Sequence, residues 1–266
     1  VSGVATKLEA RELSLTYPSG ARALDSVTLE VGAGELVAVV GPNGSGKSTL
    51  LRCLGGLLAP TAGRVQLDQR DVHSFDARQR ARSVAFVPQY LPAVPDVRVD
   101  DFVLGGRYAH IDRWRGPARE DFEHVERALE ACDALELRSR SLTELSGGQR
   151  QRVLIARAVA QAASVVLVDE PTAALDPAHQ VSVFALLSRF AREGRAVLVA
   201  THELGLASRA ANRMCVLQEG RVRVLGTPRD VLQPHVLREV YGPDLHIEAR
   251  DGGVIVAPWP RAADPG

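Results

Sequence analysis

Lysine is almost missing from this chain. Of 32 basic residues only Lys7 and Lys47 are lysines. A compact ammonium and a planar guanidinium are different tools, so Lys47 stands out against the arginine background. Neither charge is in excess: 32 acidic residues balance 32 basic ones. A chain that binds nucleic acid draws much of its affinity from neutralising phosphates, so the zero net charge and the lack of a basic stripe argue against such a partner. Arg78, Arg80 and Arg82 cluster, but they read as a solvated face. Cysteine is scarce and odd in number, with Cys53, Cys132 and Cys215 at no metal-binding or redox spacing. Each lies in an apolar run, so buried thiols and a reducing compartment are expected. No run approaches the ~20 apolar residues that span a bilayer. The most apolar stretch, 153–168, is broken by Arg157, Gln161 and Ser164. Glu9, Arg11 and Glu12 interrupt any signal-like segment near the start. If the protein works at a membrane, another chain is expected to do the spanning.

What is present is an ordinary globular balance, 45% apolar and 24% charged, over 266 residues. That length suits one large core or two small ones. Alternating apolar residues in 7–17 and 27–31 predict antiparallel strands. Continuous apolar runs at 35–40, 165–169 and 196–201 predict buried central strands. Another short strand is predicted at Val84–Val87. Helices are predicted over 47–55, 118–135, 148–161, Pro177–Arg192 and Pro234–Tyr241. Strand signals vanish between about 89 and 160, so a helical segment interrupts an α/β core. Strands alternating with helices imply a mainly parallel sheet covered on both faces. One closing hairpin is predicted from 216–218 and 222–225. A second is predicted from 247–249 and 254–257 around Asp251-Gly252-Gly253.

Between the strand at 35–40 and the helix at 47–55 lies Gly41-Pro42-Asn43-Gly44-Ser45-Gly46-Lys47-Ser48-Thr49. This fits GxxxxGK[ST] in the required strand–loop–helix setting. Backbone N–H groups can converge on a polyphosphate only where side chains stay clear. The helix N-terminus adds positive potential. Lys47 is placed to reach the β- and γ-phosphates, and the Ser48 hydroxyl to ligate Mg²⁺. The run Val165-Val166-Leu167-Val168-Asp169-Glu170 then ends an apolar strand in two carboxylates. Strand alternation separates them. Asp169 is expected to hold Mg²⁺ through water, and Glu170 to polarise the attacking water.

A third motif, Leu145-Ser146-Gly147-Gly148-Gln149-Arg150-Gln151, opens a predicted helix with Ser146 as its N-cap. With it the chain resembles the ABC ATPase family over residues 7–232. The resemblance implies a P-loop NTPase core with a mainly parallel sheet, an N-terminal antiparallel β subdomain and an inserted α-helical subdomain. It also implies a head-to-tail homodimer in which each signature (Ser146, Gly147, Gly148, Gln149) meets the nucleotide on the other chain's phosphate loop. Tyr17 matches the aromatic that stacks on adenine. Gln89 matches the glutamine that contacts Mg²⁺ and senses the membrane subunits. Ala174-Leu175-Asp176 matches the loop that crosses the dimer interface, with Ala174 in place of the commoner serine. His202 matches the histidine at the γ-phosphate. The implied site therefore comprises ATP, Mg²⁺ and these residues. Glu170, His202, Lys47 and Gln89 act in hydrolysis, and Ser48, Gln89 and Asp169 act on the metal.

The gap of about a hundred residues between phosphate loop and signature, without sustained heptads, argues against the chromosome-maintenance branch of the superfamily. A nucleoside kinase would have no use for the signature helix. Residues 97–110, with Gly106-Arg107-Tyr108-Ala109-His110, resemble ATPases of importers for ferric siderophores, haem and vitamin B12, where a proline commonly stands at the Ala109 position. Leu237-Arg238-Glu239-Val240-Tyr241-Gly242 is similar to the tail of that subfamily. The resemblance implies an ATPase domain over 1–240, its helical subdomain at about 89–160, and a tail with a short hairpin over 241–266. It further implies two copies of a separate permease, a substrate-binding protein acting indirectly, and a peripheral place on the cytoplasmic face of the inner membrane. The alternative is a soluble ABC-type ATPase in cofactor assembly.

Overall fold

The computed structural model describes residues 7–173, 175–242, 245–250 and 253–258. The chain starts with β1 (Lys7–Thr16) and β2 (Arg22–Gly32), an antiparallel pair. Alternation in β1 slips where Glu12 takes a left-handed φ of 49°, and the register shifts there. Such a bulge keeps apolar residues inward on both sides of the slip. Leu8, Ala10, Leu13 and Leu15 are all buried as a result.

Next come β3 (Leu36–Val40) and α1 (Lys47–Leu54). They are followed by β4 (Ala62–Leu67), β5 (Arg70–Asp71), α2 (Ala77–Ser83) and β6 (Val84–Val87). β4 and β5 complete a four-stranded antiparallel sheet in the order β2-β1-β4-β5. The sequence pattern does not announce β4. Three of its six residues are exposed, and only Val65 and Leu67 are buried apolar positions. Pairing with β1, rather than intrinsic propensity, holds it.

Helices then replace strands: α3 (Val99–Leu104), α4 (Arg119–Ala131) and α5 (Gly147–Ala160). Inside this insertion Arg107 and Asp121 form a buried ion pair at 3.0 Å, and Arg107 also donates to the Ala160 carbonyl. The chain returns to the core through β7 (Val165–Asp169), α6 (Pro177–Arg192), β8 (Ala196–Ala200) and α7 (Leu204–Ala210). The hairpin of β9 (Arg213–Gln218) and β10 (Arg221–Gly226) follows. Two short helices come next, α8 (Pro228–Val231) and α9 (Pro234–Tyr241). The described residues close with a separate hairpin of β11 (Leu245–Arg250) and β12 (Gly253–Pro258), beside α9 and α7. Asp251 and Gly252, expected at its turn, lie outside the described residues.

The second sheet has the order β10-β9-β3-β8-β7-β6 and is parallel except for β10. Every residue of β3, β7 and β8 is buried. Alternate side chains feed two cores. Leu36, Val166, Val168, Val197 and Val199 join the helical insertion, α6 and α9. Val37, Val39, Val165, Leu167 and Leu198 face α1 and the antiparallel sheet. This two-sided burial is why those strands read as unbroken apolar runs. Cys53, Cys132 and Cys215 are buried free thiols. No helix among the described residues is long and apolar enough to cross a membrane.

Candidate functional site

The carboxyl ends of β3, β7 and β8 converge on one edge of the parallel sheet, where ligands of open α/β sheets bind. β3 delivers the phosphate loop. A Cβ on Gly41 would lie 2.0 Å from the Leu217 carbonyl oxygen. One on Gly46, at φ 102°, would lie 2.5 Å from that of Ala23. Glycine is therefore dictated at both positions by close backbone packing. The loop leads into α1 without any side-chain cap, so the first N–H groups of that helix have no side-chain partner. Asn43 and Gly44 are exposed at the tip. The Ser45 hydroxyl is buried with no hydrogen-bond partner. An orphaned donor beside uncapped N–H groups is the chemistry an oxyanion would satisfy.

Lys47 folds back into the loop and donates to the carbonyls of Gly41 (2.8 Å) and Pro42 (3.2 Å). Its Nζ lies 3.8 Å from Glu170 Oε1. Burial lowers its pKa, against the pull of the Glu170 and Asp169 charges. Ser48 Oγ donates to Asp169 Oδ1 at 3.0 Å. That contact follows from strand alternation, because Asp169 shares the α1-facing side of β7 with Val165 and Leu167. Burial pushes the Asp169 carboxyl up, with the Ser48 hydrogen bond opposing. A hydroxyl and a carboxylate side by side fit a hard divalent cation such as Mg²⁺, which takes its remaining ligands from phosphate and water. Among the described residues no group of three or more His, Cys, Asp and Glu could hold a metal alone.

Glu170 is not separated from Asp169 by strand alternation, as the sequence suggests. β7 ends at Asp169, and Glu170 takes a left-handed φ of 46°. Its N–H still donates to the Ala200 carbonyl at 2.9 Å. A non-glycine residue held in this region costs about 1–3 kcal/mol, a strain typical of functional positions. The turn directs Glu170 Oε2 to 2.7 Å from His202 Nδ1. His202 lies just past β8, half exposed, with Nε2 at 3.3 Å from Glu203. Five residues scattered in sequence thus meet here: Lys47, Ser48, Asp169, Glu170 and His202.

Tyr17 follows β1, half-buried, with its hydroxyl 3.0 Å from Thr49 Oγ1. This fixes its ring beside the first turn of α1. Gln89 is exposed on the bend after β6. The signature also stands apart. Ser146 Oγ accepts from Gln149 N–H at 3.2 Å, and Gln149 Oε1 accepts from Ser146 N–H at 3.1 Å, closing a capping box on α5. Ser146, Gly147, Gly148 and Gln149 line an open cleft of about 530 Å³ with Asp176 and His179, and no residue of the phosphate loop lines it. Asp176 caps α6 and pairs with His179 Nδ1 at 2.6 Å. Ala174 lies outside the described residues.

Two participants escape sequence reasoning. His179 carries no motif of its own and reaches the signature cleft only through the Asp176 cap. Tyr241 reads as tail, yet it packs against the core of the parallel sheet with its hydroxyl buried. In the Gly106–His110 run, Arg107 and Ala109 are buried, and His110 Nε2 meets the Gln161 carbonyl at 3.0 Å. Those three pack the insertion, while Tyr108 remains half exposed.

A glycine-built phosphate loop on a parallel sheet, with carboxylates on the neighbouring strand and a second glycine-fronted helix on an insertion, defines a P-loop ATP-binding cassette. The family model described as "ABC transporter" matches residues 24–173, and the chain belongs to the ABC transporter family. It is 42% identical over 247 residues to a hemin import ATP-binding protein of Pseudomonas entomophila, covering 91% of this chain and 92% of that one. It is 36% identical over 240 residues to the ferric enterobactin transport ATP-binding protein of Escherichia coli, covering 89% and 87%. A cobalamin import ATP-binding protein of Halobacterium salinarum is 42% identical over 245 residues, 91% of this chain, but the match spans only 61% of that longer relative. Among solved structures, a metal-chelate-type ABC transporter in an inward-facing conformation superposes with a TM-score of 0.81 at 29% identity, covering 96% and 98%. A dimeric bacterial ABC transporter cassette gives 0.76 at 31% identity, covering 84% and 99%.

Proposed function

We propose that this chain hydrolyses ATP to power import of a metal chelate, of the ferric siderophore, haem or vitamin B12 kind, through separate membrane subunits. The observation that carries the reading is the meeting of Lys47, Ser48, Asp169, Glu170 and His202 at one sheet edge. The names of the relatives, all import or transport ATP-binding proteins, support the substrate class.

The backbone from Gly41 to Gly46 and the N-terminus of α1 hold the polyphosphate. Ser48 Oγ and Thr49 close the first turn of α1 beneath it, and the Tyr17 ring supports adenine. Lys47 leaves the Gly41 and Pro42 carbonyls for the β- and γ-phosphates, where its charge stabilises the transition state. Ser48 and Asp169, with Gln89 drawn in as the dimer closes, would hold Mg²⁺, which when bound neutralises phosphate charge. Glu170 takes a proton from the water whose oxygen bonds to the γ-phosphorus as the bond to the β–γ bridging oxygen breaks. His202 turns from Glu170 to the γ-phosphate oxygens. The signature, Ser146 through Gln149 with Asp176, serves the nucleotide of a second copy in a head-to-tail homodimer. Hydrolysis then reopens the pair.

The permease docks in the groove between core and insertion. That groove holds about 450 Å³ and is lined by Leu57, Phe86, Leu91, Tyr108 and Leu154. Leu57, Tyr90 and Tyr108 are large apolar side chains left exposed around it, and Gln89 sits on the bend between Pro88 and Tyr90. Residues 1–240 act as the ATPase domain, with 89–160 as its helical subdomain and 241–266 as a tail. The working place is the cytoplasmic face of the inner membrane, with two permease copies above and a binding protein reached through them.

The test is uptake of labelled haem, ferric siderophore and vitamin B12 by the native host carrying Glu170→Gln. Loss of one uptake, together with co-purification of the variant with a polytopic permease, is expected. Intact uptake of all three, with only soluble partners recovered, would move the function to cofactor assembly. Charge reversal at Asp100 and Asp101, at the start of α3, is expected to weaken permease association.

A further inference from the structure

The arginine cluster on α2 meets a second basic segment on the insertion. Between α3 and α4 the chain makes a tight loop, Ile111-Asp112-Arg113-Trp114-Arg115-Gly116. The Gly116 N–H donates to the Asp112 carbonyl at 3.1 Å and closes it. Asp112 Oδ1 accepts from the N–H groups of Trp114 (2.8 Å) and Arg115 (2.9 Å). The one acid of the loop is thereby turned onto its own backbone. Trp114 is left at the apex, 92% exposed, between two exposed arginines, Arg113 and Arg115. Tryptophan is highly buried on average. Its amphipathic ring is enriched where a bilayer meets water.

α2 lies alongside. Arg82 Nε donates to the Ala109 carbonyl at 2.9 Å, and Arg78 Nη2 to the Ile111 carbonyl at 3.3 Å. These bonds bring the arginines of α2 to the foot of the loop, on a helix that carries no acid. The acids that open α4 are drawn to partners of their own: Asp121 to Arg107, Glu123 to Arg119 and Glu120 to His124. A basic surface tipped by one tryptophan results. Ala77, Arg80 and Ala81 of α2 also line the groove that holds Tyr108. The loop therefore borders the groove assigned above to the permease, and a chain docked there turns this side to the bilayer.

We propose that the loop 111–116, backed by α2, is a contact for anionic lipid headgroups: Trp114 enters the headgroup layer while Arg113, Arg115 and the α2 arginines meet lipid phosphates. Charge selects the occupant, because a basic segment is drawn to the negative surface of a membrane leaflet, by about fivefold in partition for each arginine. Guanidinium forks also match phosphate oxygens in pairs. A single ring on a protruding apex suits a soft headgroup layer, which needs no matching cavity. The proposal rests on the reading of this chain as the peripheral partner of a permease. It deepens that reading by giving the cassette a hold on the membrane of its own, and it gives the arginines of α2 a ligand.

The experiment uses the full chain and two kinds of vesicle, one of equal parts phosphatidylcholine and phosphatidylglycerol, the other of phosphatidylcholine alone. Binding is read by co-sedimentation. It is also read by tryptophan emission in a Trp259→Phe background, where Trp114 is the sole tryptophan. Binding to the anionic vesicles with a blue shift of Trp114 is expected, and raised salt should release it. Arg113→Glu with Arg115→Glu should lower the partition by more than about tenfold. Trp114→Ala should weaken co-sedimentation but leave the thermal midpoint and basal ATP hydrolysis unchanged, because its side chain stands in solvent. Equal binding to both vesicles would overturn the proposal, as would binding that survives both sets of variants. A Trp114 shift seen with the purified permease in detergent but with neither vesicle would overturn it in favour of a protein contact and leave the permease reading intact. Recovery of only soluble partners from the host, with no vesicle binding, would remove both.

Discussion

Two helices in this chain begin behind glycines, and they are built to opposite ends. α1 starts without a side-chain cap at Gly46, beside Lys47, Ser48, Asp169 and Glu170. α5 starts under a closed capping box at Ser146, beside an open cleft shared with Asp176 and His179. The first has a cation, a hydroxyl paired with a carboxylate, a second carboxylate and uncapped N–H groups. The second has donors and no base aimed at them; its one carboxylate, Asp176, is spent on capping α6 and on His179. A helix N-terminus that caps itself is stable alone, whereas one left uncapped is completed by an anion. The contrast says that the α5 end adds binding groups to a reaction whose chemistry lies elsewhere. Within one chain no residue of the phosphate loop lines the signature cleft, which is why the proposed function pairs it with a second copy.

The hardest blow to this contrast falls on the α1 side. Glu170→Gln is expected to cut hydrolysis by roughly 10²–10⁴ while ATP binding persists, read by single-turnover rates beside equilibrium nucleotide binding. Next is a change on the α5 side that leaves the α1 side untouched. Ser146→Glu places a negative charge at the signature, and turnover is expected to fall by about 10². ATP affinity of the isolated chain should shift less than about twofold, measured with a fluorescent nucleotide at concentrations that keep the chain monomeric. Affinity loss equal to the rate loss would break the division between the two ends. Tyr17→Ala should act on affinity, weakening ATP binding by about tenfold through lost stacking, with kcat at saturation nearly unchanged. The smallest effect is structural. Ser146→Ala removes the α5 cap and should cost about 1 kcal/mol, seen as a lowered thermal midpoint in the absence of nucleotide.

Both ends are largely legible from sequence. The α1 end is written in contiguous residues. Gly41 to Thr49 and Val165 to Glu170 each place their chemistry at the end of a five-residue buried strand. Buried strands are unmistakable because both faces demand apolar side chains. The capping box at Ser146 and Gln149 is equally local. What escapes is whatever depends on pairing or docking at a distance. β4 exists because β1 needs a partner, and its own residues carry little β signal. Glu170 leaves its strand by a left-handed turn that no alternation rule anticipates. Tyr241 is some seventy residues past Glu170 in a segment of unremarkable composition, and only the packing of α9 brings it onto the core of the parallel sheet. Arg107 and His110 match a family run, but burial turns both to holding the insertion together.

The most direct test of the account is the structure of the Glu170→Gln chain with ATP and Mg²⁺. A head-to-tail dimer is expected. Each γ-phosphate should lie against Lys47 and Ser48 of one chain and against Ser146 to Gly148 of the other, with His202 released from residue 170. A nucleotide held by one chain alone, or a dimer whose signatures face away from both phosphate loops, would contradict it.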